Sequence, residues 1–364
     1  MMRLFPILLA IVLRAAAPAA AQTAAPQQPA PAPPPAQKPS AAPAPAFKIS
    51  GLAFGDYYAF AQHHLPAWDG QHGFWLRRAY LTYDHTLSPA LAIRLRLEMN
   101  SNGKLAGGAL TPYLKDAYLR WNVHGRQAVT LGIQPSLSFD YVESVWGLRH
   151  IEKAPLDLYR WDSSRDFGVT LAGPVNAAQT VKYAVQYGNE SGSNAETDTR
   201  KAMRAAARYE PKQGVTAEVM FAQFDRANDA DRTTAQLFAA YRGSRGRVGA
   251  QYSFQKRRSA TSADAELDLV SGFGVFELKP KTLWAFARMD RVADPCSDCG
   301  GIDYLPIATT HPFTTTIAGV DYALHASVRV SPNVEWVVYR ERAAAAAATP
   351  ENDAVFRLTF FWSF

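Results

Sequence analysis

The chain of 364 residues lacks a long apolar run that could cross a membrane as a helix. No stretch reaches the roughly 18 consecutive apolar residues that such a helix needs. The mean hydropathy of −0.18 would suggest a soluble protein if periodicity were ignored. Strands of a membrane barrel give similar averages, because every second side chain faces away from lipid. The composition therefore excludes a helical membrane protein and leaves a β-barrel open.

Cysteine is nearly absent, and the two cysteines, Cys296 and Cys299, form a single CxxC motif. A zinc site of the ribbon type needs a second ligand pair, which the sequence lacks. No alternation of strands and helices surrounds the motif, which disfavours a thioredoxin-like redox site. In an exported chain this spacing predicts a small disulfide within a loop.

Motifs of the common hydrolases are missing, since neither GxSxG nor HExxH occurs. Most of the eight histidines lie in predicted connections or at strand ends, where a solvated imidazole is the default. His63, His64 and His72 could bind a metal in the first connection, but the only carboxylate close to them in sequence is Asp69. We therefore predict no enzymatic activity, no metal site and no cofactor.

Acidic residues are missing from the first 46 positions, and this segment also lacks the alternation of a strand. A basic start, an apolar run over residues 4–13 broken by Pro6, and three alanines at 19–21 predict a signal peptide over residues 1–21. Residues 22–46 are almost entirely Ala, Pro and Gln, which favours an extended, solvated linker in the periplasm. The remaining domain, residues 47–364, carries a net charge of +3, too weak a bias to indicate nucleic-acid binding.

The last nine residues alternate between apolar and polar side chains up to the final position, an alternation broken only by Phe361. The apolar set shares one parity: Phe356, Leu358, Phe360, Trp362 and Phe364. A strand with one apolar face invites aggregation in a soluble protein but suits the lipid-facing wall of a closed barrel. The segment also resembles the C-terminal strand of bacterial outer-membrane barrels, which implies recognition by the barrel-assembly machinery.

Similar alternation recurs about every 20 residues and predicts an all-β fold, a transmembrane antiparallel β-barrel of about sixteen strands. The clearest segment is 91–100, where five apolar residues alternate with polar residues that include Arg94, Arg96 and Glu98. A barrel of this size leaves an aqueous lumen. The other predicted strands lie near 48–60, 74–86, 113–121, 127–134, 165–172, 179–188, 200–209, 215–224, 233–242, 246–256, 266–278, 281–290, 313–324, 327–341 and 353–364, with a bulge or break expected at Pro332.

One connection, residues 134–164, is too long for a hairpin and too aromatic for an ordinary solvated loop. We predict that this third extracellular loop folds into the lumen and packs Trp146, Leu148 and Ile151 on the wall. Packing on the barrel rim or on a neighbouring subunit is the alternative. The charges expected at the constriction are Asp140, Glu143, Arg149, Glu152, Lys153 and Arg160.

Basic residues fall on the polar face of the early strands, together with Glu98 and Asp116. They are Arg78, Arg94, Arg96 and Arg120, and Arg204, Arg208, Arg247, Arg288 and Arg329 could extend them as a basic stripe. A ring of such charges at a constriction attracts anions. Alternatively, the arginines pair with acidic residues across strands and stiffen the wall. The sequence leaves both possibilities open.

Several segments resemble the phosphate-selective porin O/P family. They are residues 76–81 (LRRAYL), 132–135 (GIQP), 146–149 (WGLR) with 152–153 (EK), 318–322 (AGVDY) and 331–335 (SPNVE). The resemblance implies a sixteen-stranded, trimeric outer-membrane porin whose third loop enters the lumen and whose pore arginines and lysines select phosphate. We thus expect passive diffusion of small hydrophilic solutes with a weak preference for anions. A non-selective porin is the first alternative, and a barrel with an adhesion, assembly or enzymatic role is a less favoured one. The expected partners are these solutes, outer-membrane lipid and two further copies of the chain, without nucleic acid.

Overall fold

The computed structural model describes residues 47–100, 109–259, 263–294, 306–342 and 348–364. Within this part of the chain, sixteen antiparallel strands form one closed barrel, in which every strand pairs with its sequence neighbours and β1 pairs with β16. The strands are β1 (Phe47–Gln62), β2 (His72–Thr86), β3 (Leu91–Asn100), β4 (Thr111–His124), β5 (Gln127–Pro135), β6 (Arg165–Pro174), β7 (Val181–Gly188), β8 (Ala202–Tyr209), β9 (Gly214–Phe224), β10 (Arg232–Arg242), β11 (Gly246–Arg257), β12 (Ala265–Lys279), β13 (Leu283–Val292), β14 (Phe313–His325), β15 (Val328–Tyr339) and β16 (Asp353–Ser363).

Helical structure in the described residues is confined to connections. Two short α-helices, α1 (Asp140–Trp146) and α2 (Pro155–Leu158), lie between β5 and β6, and a 3₁₀ turn spans Ala227–Asp229. No helix in the described ranges has the length and apolar character that a membrane crossing requires. The predicted fold class is confirmed, and each of the sixteen predicted strands matches an observed strand with ends that agree within three residues.

Side chains alternate between the outer surface and the lumen along each strand. In β10, Leu237 is 55% exposed on the outside, whereas its neighbour Gln236 is 1% exposed inside. In β16, Phe356 is 56% exposed and Arg357 is 5% exposed. An apolar exterior around a polar interior is the pattern of a barrel that sits in lipid. The alternation that predicted these strands therefore also predicted which face points outward.

The connections differ in length between the two ends of the barrel. Short turns such as 243–245 and 210–213 occupy one end. The first part of β1 and Phe364 lie there too, since Gly51 and Phe364 exchange backbone hydrogen bonds of 3.0 and 2.9 Å. The long connections, including 136–164 and 189–201, occupy the opposite end. We call these the turn end and the loop end.

Among the register shifts of the barrel, two bulges interrupt the strict alternation on β2 and β4. The register between β1 and β2 shifts at Arg77, and the register between β3 and β4 shifts at Lys115. A bulge inserts one extra residue, so that two consecutive side chains can point to the same face. Arg77 and Arg78 are therefore both buried in the lumen, and so are Lys115 and Asp116.

The expected bulge or break at Pro332 is absent, because β15 runs through this residue with one register on both sides. Pro332 pairs with Leu358 of β16, while Ser331 and Pro332 have no register partner on β14. Proline lacks the N–H group that a ladder bond needs, and the strand accommodates this loss by a local gap in pairing with one neighbour.

Candidate functional site

The connection 136–164 lies inside the barrel and packs against one side of its wall. In α1, Val142, Val145 and Trp146 are buried against side chains of the strands β10 to β14. The Trp146 ring lies 5.3 Å from that of Phe273 and 6.2 Å from that of Phe286. Leu148 and Ile151 belong to the same apolar cluster, which confirms the predicted inward packing of this loop. We call residues 136–164 the inner loop.

Arginines of the wall bind backbone carbonyl groups of the inner loop. Arg247 donates from Nε and Nη2 to the carbonyl oxygen of Trp146, at 3.0 and 2.6 Å. Arg77 donates from Nη1 to the carbonyl oxygen of Ile151 at 3.0 Å. Hydrogen bonds from a charged donor are stronger than neutral ones, so these contacts fix the path of the loop across the lumen.

Buried ion pairs connect the inner loop to the wall at further points. Asp162 accepts two bonds of 2.7 Å from Arg204, and Glu152 lies 3.4 Å from Arg357. The Tyr159 hydroxyl donates to Asp290 at 3.0 Å. Breaking one partner of a buried pair leaves an uncompensated charge and typically costs about 3–5 kcal/mol. The inner loop is therefore a stable part of the barrel interior.

The five arginines of the expected basic stripe all have a protein partner. Arg247 binds the loop carbonyl described above, and the others form ion pairs with acidic residues. These pairs are Arg204 with Asp162 and Asp166, Arg208 with Glu218, Arg288 with Asp290, and Arg329 with Asp321. Arg204–Asp166, Arg208–Glu218 and Arg329–Asp321 join different strands, as the wall-stiffening alternative expects, whereas Arg288 and Asp290 lie on one strand.

A cavity of about 510 Å³ lies between the inner loop and the wall formed by β1 to β4. The loop contributes Glu143, Arg149 and Asp157, and the early strands contribute Lys48, Arg96 and Lys115, with Arg165 at the start of β6. Aromatic rings of Phe54, Tyr80 and Phe361 complete the lining. Apolar packing holds the loop on the opposite wall, so the charged side chains face this remaining space. We call it the constriction cavity.

Cations outnumber acidic groups on the wall side of the constriction cavity. Glu98 forms ion pairs with both Arg78 and Lys115. Asp116 forms ion pairs with Arg96 at 3.2 Å and with Arg165 at 2.5 Å. Each of the two carboxylates therefore faces two cations, which leaves this group of six side chains with a net charge of +2.

Charges on the loop side of the cavity balance one another. Glu143 lies 3.1 Å from Arg149, and Asp157 lies 3.5 Å from Lys153. Burial raises the pKa of Glu143 above its usual range. Burial also acts to raise the pKa of Asp157, but the positive charges of Lys153 and Arg149 outweigh it and lower this pKa to about 2. The ion pairs of the loop side thus add no net charge to that of the wall side.

Four of the predicted pore residues lie away from this cavity. Arg94 forms two bonds with Asp84, of 2.7 and 3.0 Å, nearer the turn end. Arg120 lines a separate cavity of about 400 Å³ near the turn end, together with Arg126. Asp140 begins α1, and Arg160 has a φ of +57° at the end of the second helical segment; both are exposed.

Strict alternation missed Arg77 and Lys115, because it places both on the lipid face. The sequence did contain a signal for them, since each is followed directly by another charged residue, Arg78 or Asp116. A charge on the lipid face costs about 2–4 kcal/mol near the bilayer midplane. Two adjacent charges within a predicted strand therefore indicate a bulge that turns both inward. Arg165 was also missed; it opens β6 directly after the inner loop.

The predicted disulfide between Cys296 and Cys299 lies outside the described residues. The signal peptide and the linker predicted for residues 1–21 and 22–46 also lie outside them, so these assignments stay predictions.

Comparisons with known proteins identify solved structures with the same fold, but they match the chain to no sequence family. No family of known proteins matches the chain, and neither does any curated protein sequence, so the resemblance to the phosphate-selective porins is not supported at that level. Among solved structures, the anion-selective porin from Comamonas acidovorans is 12% identical, with 88% of this chain and 100% of that chain covered and a TM-score of 0.65. OmpF of Salmonella typhi, in complex with daunomycin, is 11% identical, with coverages of 87% and 97% and a TM-score of 0.62. OmpT of Vibrio cholerae, described as a trimer form of an outer membrane protein, is 14% identical, with coverages of 88% and 100% and a TM-score of 0.57. The chain is thus similar in fold to sixteen-stranded porins.

Proposed function

We propose that this protein is an outer-membrane porin through which small hydrophilic solutes diffuse passively. The observation that carries the proposal is the constriction cavity, a charged space bounded by an inner loop within a closed barrel. The apolar exterior suits lipid, and the polar interior suits water. Diffusion through such a channel needs no cofactor and no reaction, since pore width and lumen charge set which solutes pass.

The cavity charge favours a weak preference for anions. Four cations face two carboxylates on the wall side, and Lys48 adds a further positive group to the lining. The guanidinium group of an arginine such as Arg96 also matches the oxygens of phosphate, which makes phosphate a suitable solute. One of the proteins of similar fold is named as an anion-selective porin, which supports a preference for anions here.

A non-selective general porin is the second candidate. The dense ion pairing of the lumen favours it, because charges that neutralise one another act less on a passing ion. Glu98 and Asp116 bind all four wall cations of the cavity, so the net charge rather than the number of cations decides selectivity. An adhesion, assembly or enzymatic barrel has less support, since no binding face or catalytic group among the described residues points to it.

The location and assembly follow from the same proposal. A signal peptide over residues 1–21 would export the chain, and residues 22–46 would remain as a periplasmic linker. The final strand carries the aromatic pattern expected for recognition by the barrel-assembly machinery. We propose a homotrimer, for which the trimer form of the V. cholerae protein of similar fold is the support.

Liposome swelling tests the proposal directly. Proteoliposomes that contain the purified full-length barrel are diluted into iso-osmotic solutions of sugars of increasing size. We expect fast swelling with small sugars and a sharp fall in rate as the sugar approaches the width of the constriction. Empty liposomes serve as the control. Swelling that equals this control for every solute, with a barrel that is folded by gel mobility, would contradict the proposal.

A further inference from the structure

A cluster of metal-ligating side chains lies at the loop end, apart from the constriction cavity. His63 and His64 follow β1 directly, and Asp353 is the first residue of β16. The two strands pair where the barrel closes, with Gln62 opposite Ala354. This pairing brings His64 and Asp353, which are 289 positions apart in sequence, into contact. The carboxylate that contacts these histidines is therefore distant from them in sequence and lies near the C-terminal end of the chain.

The donor atoms of the three residues converge. Nδ1 of His64 lies 2.8 and 3.0 Å from the two carboxylate oxygens of Asp353, and Nδ1 of His63 lies 3.8 Å from the nearer oxygen. One ligand atom from each residue falls within 4.8 Å of the others. Asp353 is 0% exposed and His63 is 3% exposed, whereas the His64 side chain is 10% exposed and leaves one side of the group open to solvent. His72, the third histidine considered from sequence, instead contacts the Tyr57 hydroxyl at 3.1 Å.

Asp353 differs from the other deeply buried carboxylates in its partners. Among the described residues, Asp56, Glu98, Asp116, Asp166, Glu218, Asp290 and Glu335 each form an ion pair with arginine or lysine. The ion pairs that the described chain gives Asp353 are with imidazoles alone. A buried carboxylate needs a compensating cation, and a neutral imidazole does not supply one. A bound cation would supply at Asp353 the positive charge that arginine or lysine supplies at the other buried carboxylates.

We propose that His63, His64 and Asp353 bind one divalent transition metal ion of the zinc class. Two imidazole nitrogens and one carboxylate oxygen form a donor set that such ions prefer over Mg²⁺ or Ca²⁺. Zinc bonds of about 2.0–2.2 Å require the three side chains to close slightly around the ion. The fourth position is left to water.

Binding displaces the proton that Nδ1 of His64 shares with Asp353. In a neutral imidazole this proton moves to Nε2, and in an imidazole that carries a proton on both nitrogens it passes to solvent. Nδ1 of His63 gives up the hydrogen bond of 3.0 Å that it accepts from the backbone N–H of Leu65. The Tyr339 hydroxyl donates to Asp353 at 2.5 Å and orients the carboxylate, as outer partners of metal ligands commonly do. The bound ion would tie the first long connection to the strand that closes the barrel.

The test uses the folded full-length protein in detergent, without a polyhistidine tag and with Cys296→Ser and Cys299→Ser to remove competing thiolates. Zn²⁺ is titrated by calorimetry, and Co²⁺ is titrated by its visible absorption, which reports nitrogen and oxygen coordination. We expect one equivalent to bind. Asp353→Asn and His64→Gln should each weaken binding by about tenfold or more, and His72→Ala should leave it unchanged. Gel mobility before heating verifies that each variant is folded.

Three results would overturn the proposal. They are no binding to the parent protein, equal binding to folded Asp353→Asn and His64→Gln, or loss of binding in His72→Ala. The first result would leave the cluster as a proton-bridged histidine–aspartate pair. Because the readout is metal binding, its failure is independent of whether the barrel conducts solutes.

Discussion

Removing the positive charge of Lys115 is the sharpest test of the constriction cavity. Lys115 enters the lumen only because of the bulge in β4, and it shares Glu98 with Arg78. In Lys115→Gln, Glu98 keeps one cation, so the wall side of the cavity changes from a net +2 to a net +1. The substitution therefore halves the local charge without leaving a buried carboxylate unpaired.

The size of the effect follows from screened electrostatics. One elementary charge acts on an ion about 6 Å away in water with about 0.7 kcal/mol, and salt at 0.1 M reduces this to about 0.4 kcal/mol. Such an energy changes the entry of an ion by about twofold, since about 1.4 kcal/mol corresponds to tenfold. The anion loses this factor and the cation gains it, so the permeability ratio of chloride to potassium should fall about fourfold.

The assay is the reversal potential in a planar bilayer under a gradient of potassium chloride. Lys256→Gln is the matched control, because Lys256 is a half-exposed lysine near the loop end whose partners are Asp264 and Glu266. We expect this control to leave the ratio unchanged. An unchanged ratio in folded Lys115→Gln would refute the argument that net charge at this wall sets selectivity.

Three further predictions test the loop, the pH response and the lipid face. Burial raises the pKa of Glu143, so acidification from pH 7 toward 5 should remove its negative charge at a higher pH than for an ordinary glutamate. The anion preference should then rise. Glu143→Gln should show this higher preference already at pH 7 and lose the pH response of the reversal potential. Trp146→Ala removes a 1% exposed anchor of the inner loop at a cost of about 3–5 kcal/mol, which should give larger and noisier single-channel currents, whereas Trp121→Ala on the 51% exposed outer face should not. Leu237→Arg, midway along β10 on the lipid face, should lower the free energy of unfolding by about 2–4 kcal/mol in denaturant titrations in lipid. A decrease in this free energy no larger than that of Leu237→Ala would argue against lipid contact at this position.

Strand positions and the lipid face were predictable from sequence because lipid imposes an apolar residue at every second position. Leu91, Leu95 and Leu97 reveal β3 without any knowledge of its neighbours. The length and aromatic content of residues 134–164 likewise indicated a loop that must bury Trp146, and the structure confirms this packing.

The bulges and the long-range pairs were not predictable in the same way. Strict alternation fails at Arg77 and Lys115, since an inserted residue changes the face of its neighbour and only the adjacent charged residue marks the insertion. Contacts of Asp353 with His64 depend on which strands close the barrel, a property of the complete sheet rather than of any segment. The ion-pair partners of the lumen arginines depend on the same register.

The measurement that tests the central claim most directly is the single-channel current of the unmodified protein in a planar bilayer under a salt gradient. The account predicts discrete, stable conductance steps and a reversal potential of the sign expected for a modest anion preference. No conductance from a barrel shown to be folded, or a clear preference for cations, would contradict it.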